Sequence, residues 1–303
     1  MLRIFALLAF ILFSSVFSSA ARVNQRPIRI AVLDFGASGR RFADRLAETI
    51  ATEARKTRDK TESNDLLVID RDQARAAALG AGYRGSLNMA LQEARDLGSA
   101  IGCDFFFAGD AETVRRSPSN GPAYFESFAA IYLVSARTGR LILWERPSAQ
   151  GASLEEAERR LLHELTAKDA PYRYGRDIQR ALEDERAGRE QAIDGNAPVV
   201  DAMSDDNGDA NNRVRAPRPY VRLKPPYPET AARAEIEATV DVLVDVDAHG
   251  EVGRVEIARW AGYGLDQSVV DTVRQLHFFP AQRDRVAIPL RVLLRYNFRK
   301  PPK

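Results

Sequence analysis

The sequence predicts an α+β chain, with a mixed α/β amino-terminal unit followed by a small carboxy-terminal antiparallel sheet packed on one main helix. Three observations carry this. Segments 28–35, 239–246 and 290–298 show strand-type alternation or buried β-branched runs, segments 42–50 and 88–101 show helical spacing, and a polar stretch at 193–224 separates the two sets. A length of 303 residues is material for two ordinary cores and a connection.

The chain opens with Arg3 ahead of an apolar run, 4–17, broken only by Ser14 and Ser15, and Ser18-Ser19-Ala20 places small residues at cleavage positions. This is the form of a secretory signal peptide over residues 1–20, cut before Ala21. At about 1.5 Å per residue the run reaches only about 21 Å of a roughly 30 Å hydrocarbon core, although Ser18 and Ser19 extend it, so an uncleaved anchor is the alternative. Either way the rest of the chain is expected outside the cytoplasm. No cysteine follows the run, which excludes lipid attachment at a mature amino-terminal cysteine.

The amino-terminal unit, 26–192, begins with a strand at 28–35 and a Gly36-Ala37-Ser38-Gly39 loop. Phe42, Leu46 and Ile50 then recur at helical spacing. A short buried strand at 66–69 and a short helix at 72–79 follow. Leu91, Ala94, Leu97 and Ile101 form one stripe of a helix at 88–101. Strands are expected at 105–111, 124–135 and 141–144, joined by the Pro- and Gly-containing segment 117–122 and by Thr138-Gly139, with helices near 154–165 and 175–192.

A connection at 193–224 changes character midway. Asp194, Asp201, Asp205, Asp206 and Asp209, interleaved with Gly and Asn, bring too little apolar surface to order themselves. Arg213, Arg215, Arg218, Arg222 and Lys224 then alternate with prolines, which favour extended backbone. The expectation is a disordered linker, serving either as a tether that lets the last domain search for a partner or as a passive spacer.

In the carboxy-terminal domain, 225–303, Val240, Val242, Val244 and Val246 point one way while Thr239, Asp241 and Asp245 point the other; Leu243 breaks the pattern. Asp247-Ala248-His249-Gly250 supplies a tight reversal into a second strand carrying Val255 and Ile257. Asp266 is placed to cap a helix at 267–276 whose stripe is Val269, Val270, Val273 and Leu276, with Leu265 as a staple to Val270. The last strand alternates Leu290, Val292, Leu294, Tyr296 and Phe298 against Arg291, Leu293, Arg295 and Asn297. Strands that bury one side each pack economically beneath one helix.

Pro225-Pro226-Tyr227-Pro228, then Gly262-Tyr263-Gly264-Leu265-Asp266, then Phe278-Phe279-Pro280-Ala281 and the final strand, in that order, resemble the TonB C-terminal domain family over about 221–303. Glu237-Ala238 stands where the family commonly has Glu-Gly, and Arg285 where it commonly has Gly. The resemblance implies protein binding in the bacterial periplasm, or on the inner membrane facing the periplasm if the anchor is kept. It implies an envelope protein partner, an outer-membrane transporter being the type, and a place in transmembrane transport. The implied partner-binding residues are Tyr227, Pro228, Leu290, Arg291, Val292, Leu293, Leu294, Arg295, Tyr296, Asn297 and Phe298, where a partner's extended segment adds to the strand edge by backbone pairing. The other reading of Arg291, Arg295, Arg299 and Lys300 is as charges that protect an edge from aggregation. Energy-transducing members carry an anchor histidine and a long Pro-rich segment, and this sequence has neither: its histidines are His163, His249 and His277.

Val32-Leu33-Asp34-Phe35, Leu97-Gly98 with Gly102-Cys103-Asp104, and Arg137-Thr138-Gly139 followed by Trp144 resemble the amino-terminal domain of TolB and the core of the curli-secretion channel protein over about 26–145. That resemblance implies an assembly module, and with it a competing reading: a structural assembly or secretion factor whose amino-terminal domain oligomerises.

Other classes find little support. With 44 basic and 42 acidic residues the formal net charge is +2, without the basic bias of a nucleic-acid footprint. One cysteine, Cys103, excludes a disulfide framework and reads as a small buried hydrophobe. Gly36 and Gly39 supply two of the three glycines a dinucleotide fingerprint needs, at the wrong interval, so no cofactor is expected. No histidine has triad or metal-ligand spacing, so neither catalysis nor a metal site is expected.

Overall fold

Strand β1 (Ile28–Phe35) is buried on both faces, and that demand for two covering layers organises the whole molecule. A computed structural model describes residues 26–58, 66–167, 170–191, 199–201 and 214–300. The expected signal segment, most of the acidic half of the connection and the last three residues lie outside them.

After β1 come α1 (Arg40–Arg58), β2 (Leu66–Val68), α2 (Arg71–Gly80), β3 (Met89–Ala90), α3 (Leu91–Ile101), β4 (Phe105–Arg116), β5 (Tyr124–Ser135), β6 (Leu141–Glu145), β7 (Ser148–Gly151), α4 (Leu154–Leu165) and α5 (Ala170–Gln191). The main sheet runs β2-β1-β4-β5-β6, with β7 also on β5; β1 is parallel to both β2 and β4, and the remaining pairs are antiparallel. Alternate residues of β4 feed the two layers: Phe105 and Phe107 pack with Phe42, Leu46, Leu161 and Tyr174 under α1, α4 and α5. Phe106 faces the opposite layer, built by α2, α3 and the carboxy-terminal domain.

The carboxy-terminal half adds β8 (Val199–Asp201), β9 (Val214–Arg215), β10 (Arg218–Pro219), α6 (Glu229–Arg233), β11 (Ala238–Val246), β12 (Val252–Trp260), α7 (Leu265–Val273), β13 (Phe278–Phe279), β14 (Ala281–Arg283), β15 (Val286–Ile288) and β16 (Leu290–Phe298). The fold is mixed α+β with a carboxy-terminal antiparallel core, as the alternation predicts. Val240, Val242, Val244 and Val246 are buried together with Val269, Val273 and Leu276 of the helical layer.

Several expectations are corrected. The helix expected from residue 88 starts at Leu91, because Asn88 spends its side chain on the other half of the molecule and Met89–Ala90 pairs as a strand. The strand expected to be buried at 66–69 is an edge strand with Leu67 49% exposed. β4 runs five residues past the expected end because β5 pairs with it along its whole length, from Phe105↔Ser135 to Arg116↔Tyr124. The described parts of the connection contain the strands β8, β9 and β10: β9 pairs with β14 and β10 with β13, so the basic, Pro-rich half is tied to the last domain.

Candidate protein-docking edge

The second sheet has the order β3-β12-β11-β16-β8. β11 occupies the centre because its register pairs every residue from Ala238↔Phe298 to Val246↔Leu290 with β16, and its other side pairs with β12. One outer edge, that of β12, is partly capped by β3 from the amino-terminal unit, where Ala90 faces Arg259 and Met89 faces Trp260. At the other edge Val199, Val200 and Asp201 run parallel to Arg291, Val292 and Leu293. Along Leu294, Arg295, Tyr296, Asn297 and Phe298 the outer side of β16 has no strand partner among the described residues.

The implied partner-binding residues divide by what holds them. Leu290, Val292, Leu294 and Phe298 are buried in the shared core. Arg291 forms a two-point pair with Asp245, Nε to Oδ1 at 2.5 Å and Nη2 to Oδ2 at 2.9 Å, and this holds the Asp245 carboxyl below its ordinary range. Arg295 makes a two-point pair with Asp241, at 2.8 and 3.1 Å, and Arg259 approaches that carboxylate at 3.5 Å. Asp241 is only 6% exposed, so Arg295 compensates a buried charge. These arginines are engaged across strands, and what the edge offers an incoming chain is backbone. The Asn297 side chain accepts from the Thr239 hydroxyl at 2.8 Å.

Tyr227 sits at the end of this strand, and Pro228 follows it into α6. The Tyr227 hydroxyl donates to the Ile236 carbonyl at 2.5 Å, and its ring lies 6.0 Å from that of Phe298. Pro228 occupies the N-cap position of α6. Both residues are half-buried; Tyr227 fastens the entry of the domain to its last strand, and Pro228 lies beside Gly264.

The chain solves the two departures from family pattern locally. Glu235, at φ 51°, takes the left-handed turn and Ala238 simply enters β11; Asp284 and Arg285 take φ 51° and 70° in the turn before β15. Left-handed backbone is costly for any residue with a Cβ, and Asp tolerates it better than Arg.

The edge stands on a rigid support. Trp260 Nε1 donates to the Gly139 carbonyl at 3.0 Å, the Tyr132 hydroxyl donates to the Ala261 carbonyl at 3.0 Å, and the Trp144 and Tyr263 rings lie 4.8 Å apart. Asn88 acts as a clip: its amide donates to the Thr239 and Trp260 carbonyls at 2.8 and 2.7 Å and accepts from the Thr239 N–H at 3.0 Å. Glu93 takes both ends of the Arg259 guanidinium at 3.1 Å, and Arg140 pairs with Glu256. Gly262 lets the loop close, since a Cβ there would lie 2.6 Å from Trp144 and 2.8 Å from Tyr132. Thus two motifs separated by more than a hundred residues, Arg137-Thr138-Gly139 with Trp144 and Gly262-Tyr263-Gly264, meet at one seam.

Asp266 corrects the sequence reading. α7 starts two residues earlier than the expected 267, with Gly264 at the N-cap position, and ends at Val273; the Asp266 carboxylate turns back to accept from the Ala261 and Gly262 N–H groups at 2.9 and 2.8 Å. Burial pushes its pKa up to about 6, the two N–H donors opposing.

The histidines are dispersed: His277 contacts Glu251 at 3.1 Å, His249 lies in the reversal after β11, and His163 lies on α4. Among the described residues no group of three or more His, Cys, Asp or Glu side chains could hold a metal ion, and no helix is long and apolar enough to cross a membrane.

Residues 224–299 match the family model described as the C-terminal of the Gram-negative bacterial TonB protein. No curated protein matches the chain. Among solved structures, the TonB C-terminal domain of Pseudomonas aeruginosa matches at 13% identity and a TM-score of 0.26, covering 36% of this chain and 99% of its own. Lipoprotein GNA1162 of Neisseria meningitidis matches at 16% identity and a TM-score of 0.31, covering 46% of this chain and 94% of its own. A PelC dodecamer from Paraburkholderia phytofirmans matches at 10% identity and a TM-score of 0.28, covering 48% of this chain and 90% of its own.

Proposed function

We propose, from a TonB C-terminal domain at residues 224–299, that this chain is a periplasmic adaptor that binds an extended segment of an envelope protein by strand addition to β16. Outer-membrane transport is the process it would serve. The observation that carries the reading is the asymmetry of the second sheet: its β12 edge is partly capped by β3, while five residues of β16, Leu294–Phe298, keep an outer side without a strand partner among the described residues. Unpaired N–H and C=O groups on such an edge are a template for a further strand. The amino-terminal unit supports that edge through the seam at Trp260 and Tyr132 and offers its remaining surface to other envelope components.

Prolines at Leu293 and, separately, at Tyr296 test this. In an antiparallel strand successive residues direct their backbone groups alternately toward and away from the neighbour, so one of the two prolines removes only an outward donor. The variant that stays folded by circular dichroism is expected to lose capture of its partner from solubilised envelope. Undiminished capture by that folded variant sinks the reading.

A further inference from the structure

We infer that residues Val199–Asp201 are a built-in occupant of the docking edge, and that the partner is an extended segment that runs parallel to β16 and displaces them. This rests on the docking reading above.

The geometry is on the backbone. β8 pairs in parallel with Arg291, Val292 and Leu293, the amino-terminal portion of β16. Nothing in the local sequence demands a strand there: Val199-Val200-Asp201 follows Pro198 and precedes a stretch of Asp, Asn and Gly. A three-residue strand has little stability of its own, so its place is set by what the edge accepts. The edge accepts a strand in parallel orientation along Arg291, Val292 and Leu293, and an extended segment of a partner fits the same register. Such a segment has more edge to use than β8 does, because it can continue past Leu293 along residues 294–298, where no strand competes among the described residues.

The chain also keeps β8 within reach when it is displaced. Residues 192–198 join it to α5, and residues 202–213 join it to β9, which is itself paired to β14. A segment held on short connections acts at roughly millimolar effective concentration, which is enough to exclude weak strangers and is surmountable by a longer strand. In the free protein β8 thereby shields part of an edge that would otherwise pair with other chains.

The test uses the full chain with Val199→Gly, Val200→Ser and Asp201→Gly together. Hydrogen exchange read by NMR at residues 291–293 is expected to accelerate at least tenfold for the outward amides in the triple variant. A synthetic peptide of residues 197–203, added in trans, should restore protection there. The native chain should resist the peptide: with a tethered competitor at roughly 1 mM, a peptide at about 10 µM is outcompeted about a hundredfold. Unchanged exchange in the triple variant, or equal peptide binding by both proteins, overturns the inference. Faster exchange with capture from the envelope unaffected by the folded proline variant upholds self-pairing and overturns the docking reading, so the two failures are distinguishable.

Discussion

Gly262→Ala tests whether the amino-terminal unit and the carboxy-terminal domain form one packed body. Gly262 has φ +74°, a conformation that costs a residue with a Cβ about 1 to 2 kcal/mol. The new methyl would also lie 2.6 Å from Trp144 Cδ1 and 2.8 Å from Tyr132 Cε1, both well inside contact distance. Overpacking of that kind costs about 1 to 3 kcal/mol, so the total expected loss is about 2 to 5 kcal/mol. The indole's share separates in a Trp144→Ala background, where that contact is gone while the backbone cost and the Tyr132 contact remain. Urea denaturation of the four proteins of this cycle, followed by circular dichroism, should show Gly262→Ala costing less in the Trp144→Ala background by roughly 1 kcal/mol or more. An equal cost in both backgrounds would falsify the packing argument, since Trp144 and Gly262 then do not share an interface.

Three other outcomes follow from the same geometry. Arg285→Gly relieves a side chain held at φ 70° and is expected to raise stability by about 1 kcal/mol, read as a higher urea midpoint at unchanged slope; a lower midpoint refutes the turn assignment. Arg295→Leu removes the two-point pair to the Asp241 carboxylate, 6% exposed, leaving the more distant Arg259 beside it, and is expected to cost about 1.5 to 3 kcal/mol, whereas an effect below about 0.5 kcal/mol would return Arg295 to the role of a protective edge charge. Asp266 carries a pKa raised to about 6, so the folded state binds its proton more tightly than the unfolded state does. Its contribution is therefore present in full below about pH 4 and lost as pH rises through about 6, a change on the order of 2 to 3 kcal/mol. Stability of the native chain relative to Asp266→Asn should fall between pH 4 and 7, and a difference that does not move with pH refutes the assignment.

Much of the carboxy-terminal fold was legible because its side chains repeat. The valines of β11 and the alternation of β16 specify a face, and burial of that face follows. The motifs that carry the family resemblance were legible as an ordered set, and the family model matches the same region. The seam was not legible. Gly139 and Gly262 read as ordinary turn residues in sequence, and only the fold shows that the Leu91 backbone crowds the first and that Trp144 and Tyr132, from the far half of the chain, crowd the second. β3 and β7 escaped for a related reason: Met89–Ala90 is too short to show a period, and Ser148–Gly151 has no β-branched residue, so both are strands by virtue of their partners. In sequence Asp266 reads as a cap because acids commonly begin helices; its carboxylate instead serves the loop before the helix, a choice set by burial of Ala261 and Gly262. That Arg291 and Arg295 pair across strands was hidden because their carboxylate partners lie about fifty residues away on another strand; the sequence offers them as partner-binding residues or as charges that protect an edge.

The central claim is that the outer edge of β16 is where a partner polypeptide pairs. Site-specific photo-crosslinking in intact cells tests it most directly, with a photoreactive residue at exposed Asn297 or Arg299 and, as a control, at Leu154 on the opposite layer. The account predicts a crosslinked envelope protein from Asn297 and Arg299 that disappears in the folded proline variant and is absent from Leu154. Crosslinking that survives the proline, or that arises only from Leu154, would contradict it.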